Sequence, residues 1–214
     1  MILEDSRENI LKNIRQALAK GVHSLEQPEL ASPVLKAFKE EDTAIIFAEN
    51  FVKTKGVFFF CETKEDFYNY LKTYLEHNSI TKLFAWEKDV RELLLESKVS
   101  FSETDTDFIN AEAGITKCEA LIARTGSILI SSATEAGRRL SIYPPTHLVI
   151  AFTSQIEKEV AEGLLKVKNK YKQIPSMVSV ITGPSRTADI EKTLVLGAHG
   201  PKELVLFLID DSSH

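Results

Sequence analysis

Residues 57–95 read VFFFCETKEDFYNYLKTYLEHNSITKLFAWEKDVRELLL, and their order decides the fold class. Val57 to Cys61 is a short, continuous apolar run of strand length. Thr63-Lys64-Glu65-Asp66 has the spacing of a capping box and opens a helix carrying Phe67, Tyr70, Leu71 and Tyr74. Leu83 to Trp86 predicts a second short strand, and Val90 to Leu95 a second helix. Strand, helix, strand, helix with short connections predicts an α/β fold built on a parallel sheet.

Outward from that stretch the texture changes. On the amino-terminal side, Ile2, Leu3, Ile10, Leu11, Ile14 and Leu18 recur at helical spacing up to Gly21. Residues 22–33 hold two prolines and read as a linker. Residues 34–55 predict a second amphipathic helix ending at Gly56. The expected division is therefore 1–55, helices and linker, and 56–214, an α/β domain. On the carboxyl-terminal side, Glu119 to Ser132 forms two β-rich runs around Thr125-Gly126, which suits a hairpin. His147 to Phe152 predicts a strand. Ser154 to Glu157 caps a helix running to about Tyr171, and Met177 to Thr182 and Leu204 to Ile209 predict two further strands.

Composition excludes several classes. With 26 basic and 31 acidic residues the formal charge is −5, and the signs are interspersed, which argues against a nucleic-acid partner. The opening MILEDSREN carries three acids and lacks the pattern of a signal peptide. The longest apolar runs fall far short of the about 18 residues a membrane helix needs. A cytoplasmic protein without a membrane span is expected. Cys61 and Cys118 are the only cysteines, too few for a four-cysteine iron–sulfur cluster. No pair of histidines has metal-ligand spacing, so no metal is expected on this chain.

Four clusters carry residues suited to chemistry. Gly183-Pro184-Ser185-Arg186-Thr187-Ala188-Asp189 follows a strand, and ligands of open α/β sheets bind beyond the carboxyl ends of strands. A glycine and hydroxyl residues at a helix start would offer donors to an anion, with Arg186 as a bidentate clamp. The plain alternative is a turn plus a helix cap. Gly197-Ala198-His199-Gly200 presents His199 on a turn, as a general acid/base or as a loop residue without a role. Arg124-Thr125-Gly126-Ser127 would cradle a phosphate or carboxylate, or be a tight turn and nothing more. Arg138 and Arg139, ahead of Pro144-Pro145-Thr146-His147, would bind an anion or be solvated arginines; one of the proline bonds could be cis, and His147 suits a buried structural role. Glu112, Glu135, Asp189 and Glu191 lie near these clusters, none with a partner visible in the sequence. No Walker loop, dinucleotide fingerprint or serine-hydrolase elbow is present.

Taken in order, these blocks resemble the lactate utilization protein C family, whose shared unit is the LUD domain. The resemblance rests on Ile181 to Glu191, on Leu196-Gly197-Ala198-His199-Gly200-Pro201, on Arg138 through His147, and on the opening helix. It implies a three-layer, mostly parallel α/β fold like that of ribose-5-phosphate isomerase, glucosamine-6-phosphate deaminase and the CoA transferases. It also implies a role beside two companion proteins with iron–sulfur clusters in oxidising L-lactate to pyruvate, with no cofactor on this chain. The anion site expected from the four clusters comprises Thr125, Gly126, Ser127, Arg138, Arg139, Gly183, Ser185, Arg186, Thr187, Asp189, Gly197 and Gly200, with His199 as the catalytic candidate. Two positions depart from the family's Glu-Thr-Gly-Thr turn: Ser127 replaces the last threonine and keeps its hydroxyl, and Arg124 replaces the glutamate and reverses its charge. The competing function is a stand-alone enzyme on a small anionic metabolite, of the sugar-phosphate isomerase or CoA-dependent transferase type. A third reading has the helix at 2–18 dock into a partner.

Overall fold

The computed structural model describes residues 43–136, 138–190, 193–196 and 199–211, without the side chains of 187–190 and 193–196. The chain divides into two compact units, Met1–Lys39 and Glu40–His214. The opening helix, the linker and the start of the second helix fall outside the described residues.

The second helix is described from Thr43 to Lys53 (α1). Strand β1 (Val57–Cys61), α2 (Lys64–His77), β2 (Leu83–Phe84) and α3 (Lys88–Glu96) follow in the predicted order. The Thr63 side chain accepts from the Asp66 backbone N–H while the Asp66 carboxylate accepts from that of Thr63, so the capping box forms as read. Next come β3 (Ala113–Lys117), β4 (Ala120–Ile122), β5 (Ser127–Ser131), β6 (Thr146–Phe152), β7 (Ile156–Glu157), α4 (Val160–Lys170) and β8 (Val178–Ile181). Arg186–Ile190 (β9), Thr193–Leu196 (β10) and Glu203–Ile209 (β11) complete the chain.

Five strands in the order β1-β11-β6-β3-β2 make one sheet, parallel at every pairing. β11 is inserted between β1 and β6, with Phe207 level with Phe59 on one side and Ile150 on the other. One face of the sheet receives α2 and α3: Leu148, Ile150, Val205, Phe207 and Ile209 pack with Phe67, Leu71, Val90 and Leu94. The opposite face is covered too, since Leu204, Leu206 and Leu208 are buried. There Phe58 meets Phe47 and Phe51 of α1. Burial on both faces is why β6 and β11 read as unbroken apolar runs. A second sheet, β7-β4-β5-β8, is mixed: β4 and β5 form the expected hairpin, β8 pairs antiparallel with β5, and β7 is parallel to β4. Helix α4 lays Val167 on Ala120, Ile122 and Leu129 of that hairpin. The result is the three-layer α/β fold expected, and α1 packs into the body of the domain rather than standing apart from it.

Three local readings change. Ser154 to Glu157 does not cap a helix; it forms a 3-10 turn and β7, and Glu159 takes the cap position of α4. The segment after Gly183 is not a helix start. It is strand β9, paired antiparallel with β10 through Arg186↔Leu196 and Ile190↔Thr193. Among the described residues no peptide bond is cis, Pro144 and Pro145 included.

His147 is fully buried in β6, its Nε2 2.9 Å from the Thr116 hydroxyl. Burial lowers its pKa from 6.5 to about 3. Between those values the unfolded chain binds the proton and the folded chain does not, so stability from this residue is complete above about pH 6.5 and lost as pH falls toward 3. A His147→Gln variant is expected to show a shallower loss of stability across that window in denaturant titrations; an unchanged slope would contradict the assignment. Phe207, stacked on Phe59 and edge-on to Phe67 and Tyr74, fixes the centre of the core. Phe207→Ala is expected to cost about 3–5 kcal/mol, read as a lower urea midpoint at unchanged slope.

Candidate functional site

The parallel sheet has two edges, and the conspicuous motifs gather at the amino-terminal one. Three of the four clusters meet around the end of α1. The Asn50 side-chain amide donates to the carbonyls of Ala123 and Arg124, fixing the β4–β5 turn against the helix. Gly126 has φ +60°, and a Cβ there would overlap the backbone of Asn50 and Phe51. Gly183 has φ +74°, and a Cβ there would overlap the Thr54 carbonyl. Both glycines therefore serve close approach of backbone to backbone. The Ser127 hydroxyl bonds Thr125 and Thr182, tying the two turns together. Arg186 Nη2 donates to the Thr54 carbonyl at 2.6 Å, a basic side chain on the end of a helix. The Ser185 N–H donates to the Pro201 carbonyl at 2.9 Å, and Gly200 sits against the Ser185 side chain. His199 is exposed beside it, and the Arg186 side chain is exposed as well.

This junction sits beside the start of β11, because the Pro145 carbonyl accepts from the N–H groups of Lys202 and Glu203. The strand before Gly183 belongs to the mixed sheet, so the carboxyl-end rule does not apply to it, and β9 removes the helix N-terminus proposed for anions. Gly197 and the side chains of Thr187 and Asp189 lie outside the described residues. Arg124 forms an ion pair with Glu159, so the charge that departs from the family turn is matched.

The two arginines of the fourth cluster point elsewhere. Arg138 donates to the Ser176 hydroxyl at 2.9 Å. Arg139 pairs with Asp105 at 2.7 Å and lies over the rings of Trp86 and Phe108. Neither has a described contact with the 183–186 or 199–201 segments; the fourth cluster reaches the junction through Pro145, whose carbonyl accepts from the Lys202 and Glu203 N–H groups.

The carboxyl-terminal edge holds residues that sequence reading passed over. Glu87 follows β2 and Glu119 follows β3, and both are buried, at 3% and 5% exposure. Glu119 is fully engaged: Oε1 accepts from Ser131 at 2.6 Å and Tyr171 at 2.7 Å, and Oε2 meets Lys170 at 2.8 Å. Burial pushes its pKa up, but Lys170, Ser131 and Tyr171 together hold it below the usual carboxylate range. Glu87 is treated differently. Its Oε2 accepts the Lys117 N–H at 2.6 Å, while its Oε1 is buried without a hydrogen bond. Burial raises its pKa and the nearby Glu119 adds to that, against weaker opposing effects of hydrogen bonds from the Lys117 N–H and the Thr134 side chain and of the Lys117 charge. Two carboxyl groups with pKa values driven apart are the arrangement from which acid and base roles arise.

Other groups are structural. Glu112 accepts from the Thr81 and Lys82 N–H groups, and Glu135 from that of Lys88. Burial raises both thiols, Cys61 to about 12, which leaves neither as a nucleophile. Among the described residues no group of three or more histidine, cysteine or acidic side chains could hold a metal, and no helix is long and apolar enough to cross a membrane.

If Gly183 is a packing residue, Gly183→Ala lowers stability by about 1–3 kcal/mol by forcing α1 away from the turn. Chemical denaturation measures this; a variant as stable as the parent would return Gly183 to a ligand-binding role.

A family model described as the LUD domain matches residues 45–209. An uncharacterized protein of Neisseria meningitidis, NMB1437, is 34% identical over 63% of this chain and 57% of its own length. Lactate utilization protein C of Bacillus subtilis is 34% identical over 47% of this chain and 43% of its own. YkgG of Escherichia coli, also uncharacterized, is 38% identical over 47% of this chain and 45% of its own. The chain thus spans about half the length of the curated relatives it matches. The crystal structure of a DUF162 family protein from Deinococcus radiodurans superposes with a TM-score of 0.59 at 18% identity, over 81% of this chain and 99% of that one. That likeness supports the fold, and the family model covers more than half of the sequence: the chain belongs to the LUD domain family.

Proposed function

We propose that this protein is a cytoplasmic component of an L-lactate utilization system, which oxidises lactate to pyruvate together with two iron–sulfur companion proteins. The observation that carries the reading is the LUD domain match, joined to relatives named lactate utilization protein C. Those relatives weigh against the stand-alone isomerase or transferase reading. Oxidation of lactate releases two electrons and two protons. Two buried cysteines do not supply a four-cysteine cluster, so the electrons pass to clusters held by the companions.

This chain's part is to hold the carboxylate. Of the residues first assembled for that task, Arg186, Ser185 and His199 remain suited to it. The Arg186 guanidinium is exposed, and its bond to the Thr54 carbonyl orients it beside the Ser185–Gly200 contact. His199 adjoins that contact and would take or return a proton. Arg139, stacked on Phe108 and paired with Asp105, is engaged away from this junction and supports the reading less.

The test is an affinity pull-down of the tagged protein from its native cells grown on L-lactate, followed by lactate-dependent dye reduction. Cysteine-rich iron–sulfur proteins are expected to co-purify with activity. Arg186→Ala is expected to lower that activity at least tenfold, while the loss of its helix-end bond costs about 1 kcal/mol of stability. Undiminished activity in the variant would remove the carboxylate clamp. A protein that purifies alone and inert would remove the assembly.

A further inference from the structure

The mixed sheet ends in an open edge, and its surroundings suit a partner strand. Helix α4 rests on β4 and β5 through Val160, Gly163 and Val167, and a Cβ on Gly163 would overlap Ile122. Lys166 leans over one flank, donating to the Ser154 carbonyl and pairing with Glu157 of β7. Helical geometry puts Leu164 and Lys168 on the other flank, toward β8. β8 is the last strand in the order β7-β4-β5-β8. Val178 packs under α4, and Val180, two residues on and opposite Leu129, faces the same side. Leu164 and Val180 are each 44% exposed, so an apolar strip between α4 and β8 lies open to solvent.

Two observations say what fits there. The first is the backbone. The Ser132 N–H donates to the Met177 carbonyl at 3.0 Å, which fixes the phase of the β5–β8 ladder. Alternate residues of an antiparallel ladder turn their N–H and C=O groups away from the paired strand, and here these are Val178 and Val180. Among the described residues no strand pairs with that side. β8 also carries no charge, proline or bulge to turn a neighbouring strand away. The second observation is charge. In a chain of net charge −5, residues 163–188 hold four lysines, one arginine and no acid. Lys166 and Lys170 are matched by Glu157 and Glu119. Lys168 and Lys172 are exposed and have no ion pair among the described residues. Arg138, bonded to Ser176 at the approach to β8, adds the same sign. Two copies meeting edge to edge would bring these cations together, which argues against self-association here.

We propose that the edge of β8 and the outer flank of α4 take up an extended acidic segment of a partner protein as a further strand of the mixed sheet. Its backbone pairs with Val178 and Val180, its apolar side chains cover Val180 and Leu164, and its carboxylates meet Lys168 and Lys172. Backbone pairing supplies the adhesion, while the lysines select an acidic sequence and steer its approach. The inference stands whether or not the protein takes part in lactate oxidation.

The probe is the peptide EEVIVEE, fluorescein-labelled at its amino terminus and amidated. Its anisotropy is expected to saturate on titration with the full chain, with a Kd below about 1 mM. The peptide EEVPVEE lacks the central N–H, and KKVIVKK reverses the charge. Each is expected to bind at least tenfold more weakly, a loss of about 1.4 kcal/mol. The double variant Lys168→Glu, Lys172→Glu changes only exposed side chains and is expected to weaken EEVIVEE to the same degree. Val180→Pro removes an outward donor at an edge and is expected to abolish binding, with circular dichroism reporting whether it folds. Should it not fold, the lysine variant decides. No saturation, equal binding of EEVPVEE, or full affinity in the lysine variant would overturn the proposal. Phosphatidylserine vesicles that sediment the chain while EEVIVEE does not bind would assign the face to an anionic membrane and overturn it as well.

Discussion

The insertion of β11 between β1 and β6 is the constraint on which the rest of the structure depends. The last described strand completes the parallel sheet, pairing with β6 along its whole length and with β1 from Val205 to Ile209. Its side chains are buried on both faces, so every backbone group it carries must find its partner in a neighbouring strand. Among the described residues β1 pairs with no strand but β11, and until β11 is in place Phe59 lacks the ring of Phe207. Closing contacts between residues so distant in sequence also makes this a slow topology to assemble. The gain is a rigid platform with two distinct edges.

Those edges divide the labour. At the amino-terminal edge, glycines, hydroxyls and an arginine bring two turns and the end of α1 into backbone contact. A motif that looks like a phosphate cradle in one dimension is here used to seat a helix, because a close approach of two backbones and a close approach of backbone to ligand demand the same residues. At the carboxyl-terminal edge, the same platform buries two glutamates in contrasting surroundings. One is saturated with donors; the other has an oxygen unanswered.

Much of this fold is legible in the sequence. Apolar runs announce β1, β6 and β11, and the Thr63 box announces α2. The central strand β3 escapes notice because Gly114 interrupts its pattern, and that glycine is required by the Leu140 backbone, which a Cβ there would overlap. Strand β9 reads as a helix start because its polar and hydroxyl residues suit a cap; pairing with β10 decides otherwise. Missing β3 also hides Glu119, since a carboxylate immediately beyond a buried parallel strand is informative only once the strand is recognised. Glu87 had the clearer signal, an acid directly after Leu83 to Trp86, but nothing in the sequence marks it as buried. Arg138 and Arg139 looked like partners of the Gly183 cluster because adjacency in a motif says nothing of direction.

The central claim is that the carboxyl-terminal edge sets two neighbouring glutamates apart in their hold on a proton. Carbon-13 NMR titration of glutamate side chains, with Glu87→Gln and Glu119→Gln to assign the signals, tests it most directly. The account predicts that Glu87 titrates above the ordinary glutamate range and Glu119 below it. Two glutamates titrating together at the ordinary value would contradict it.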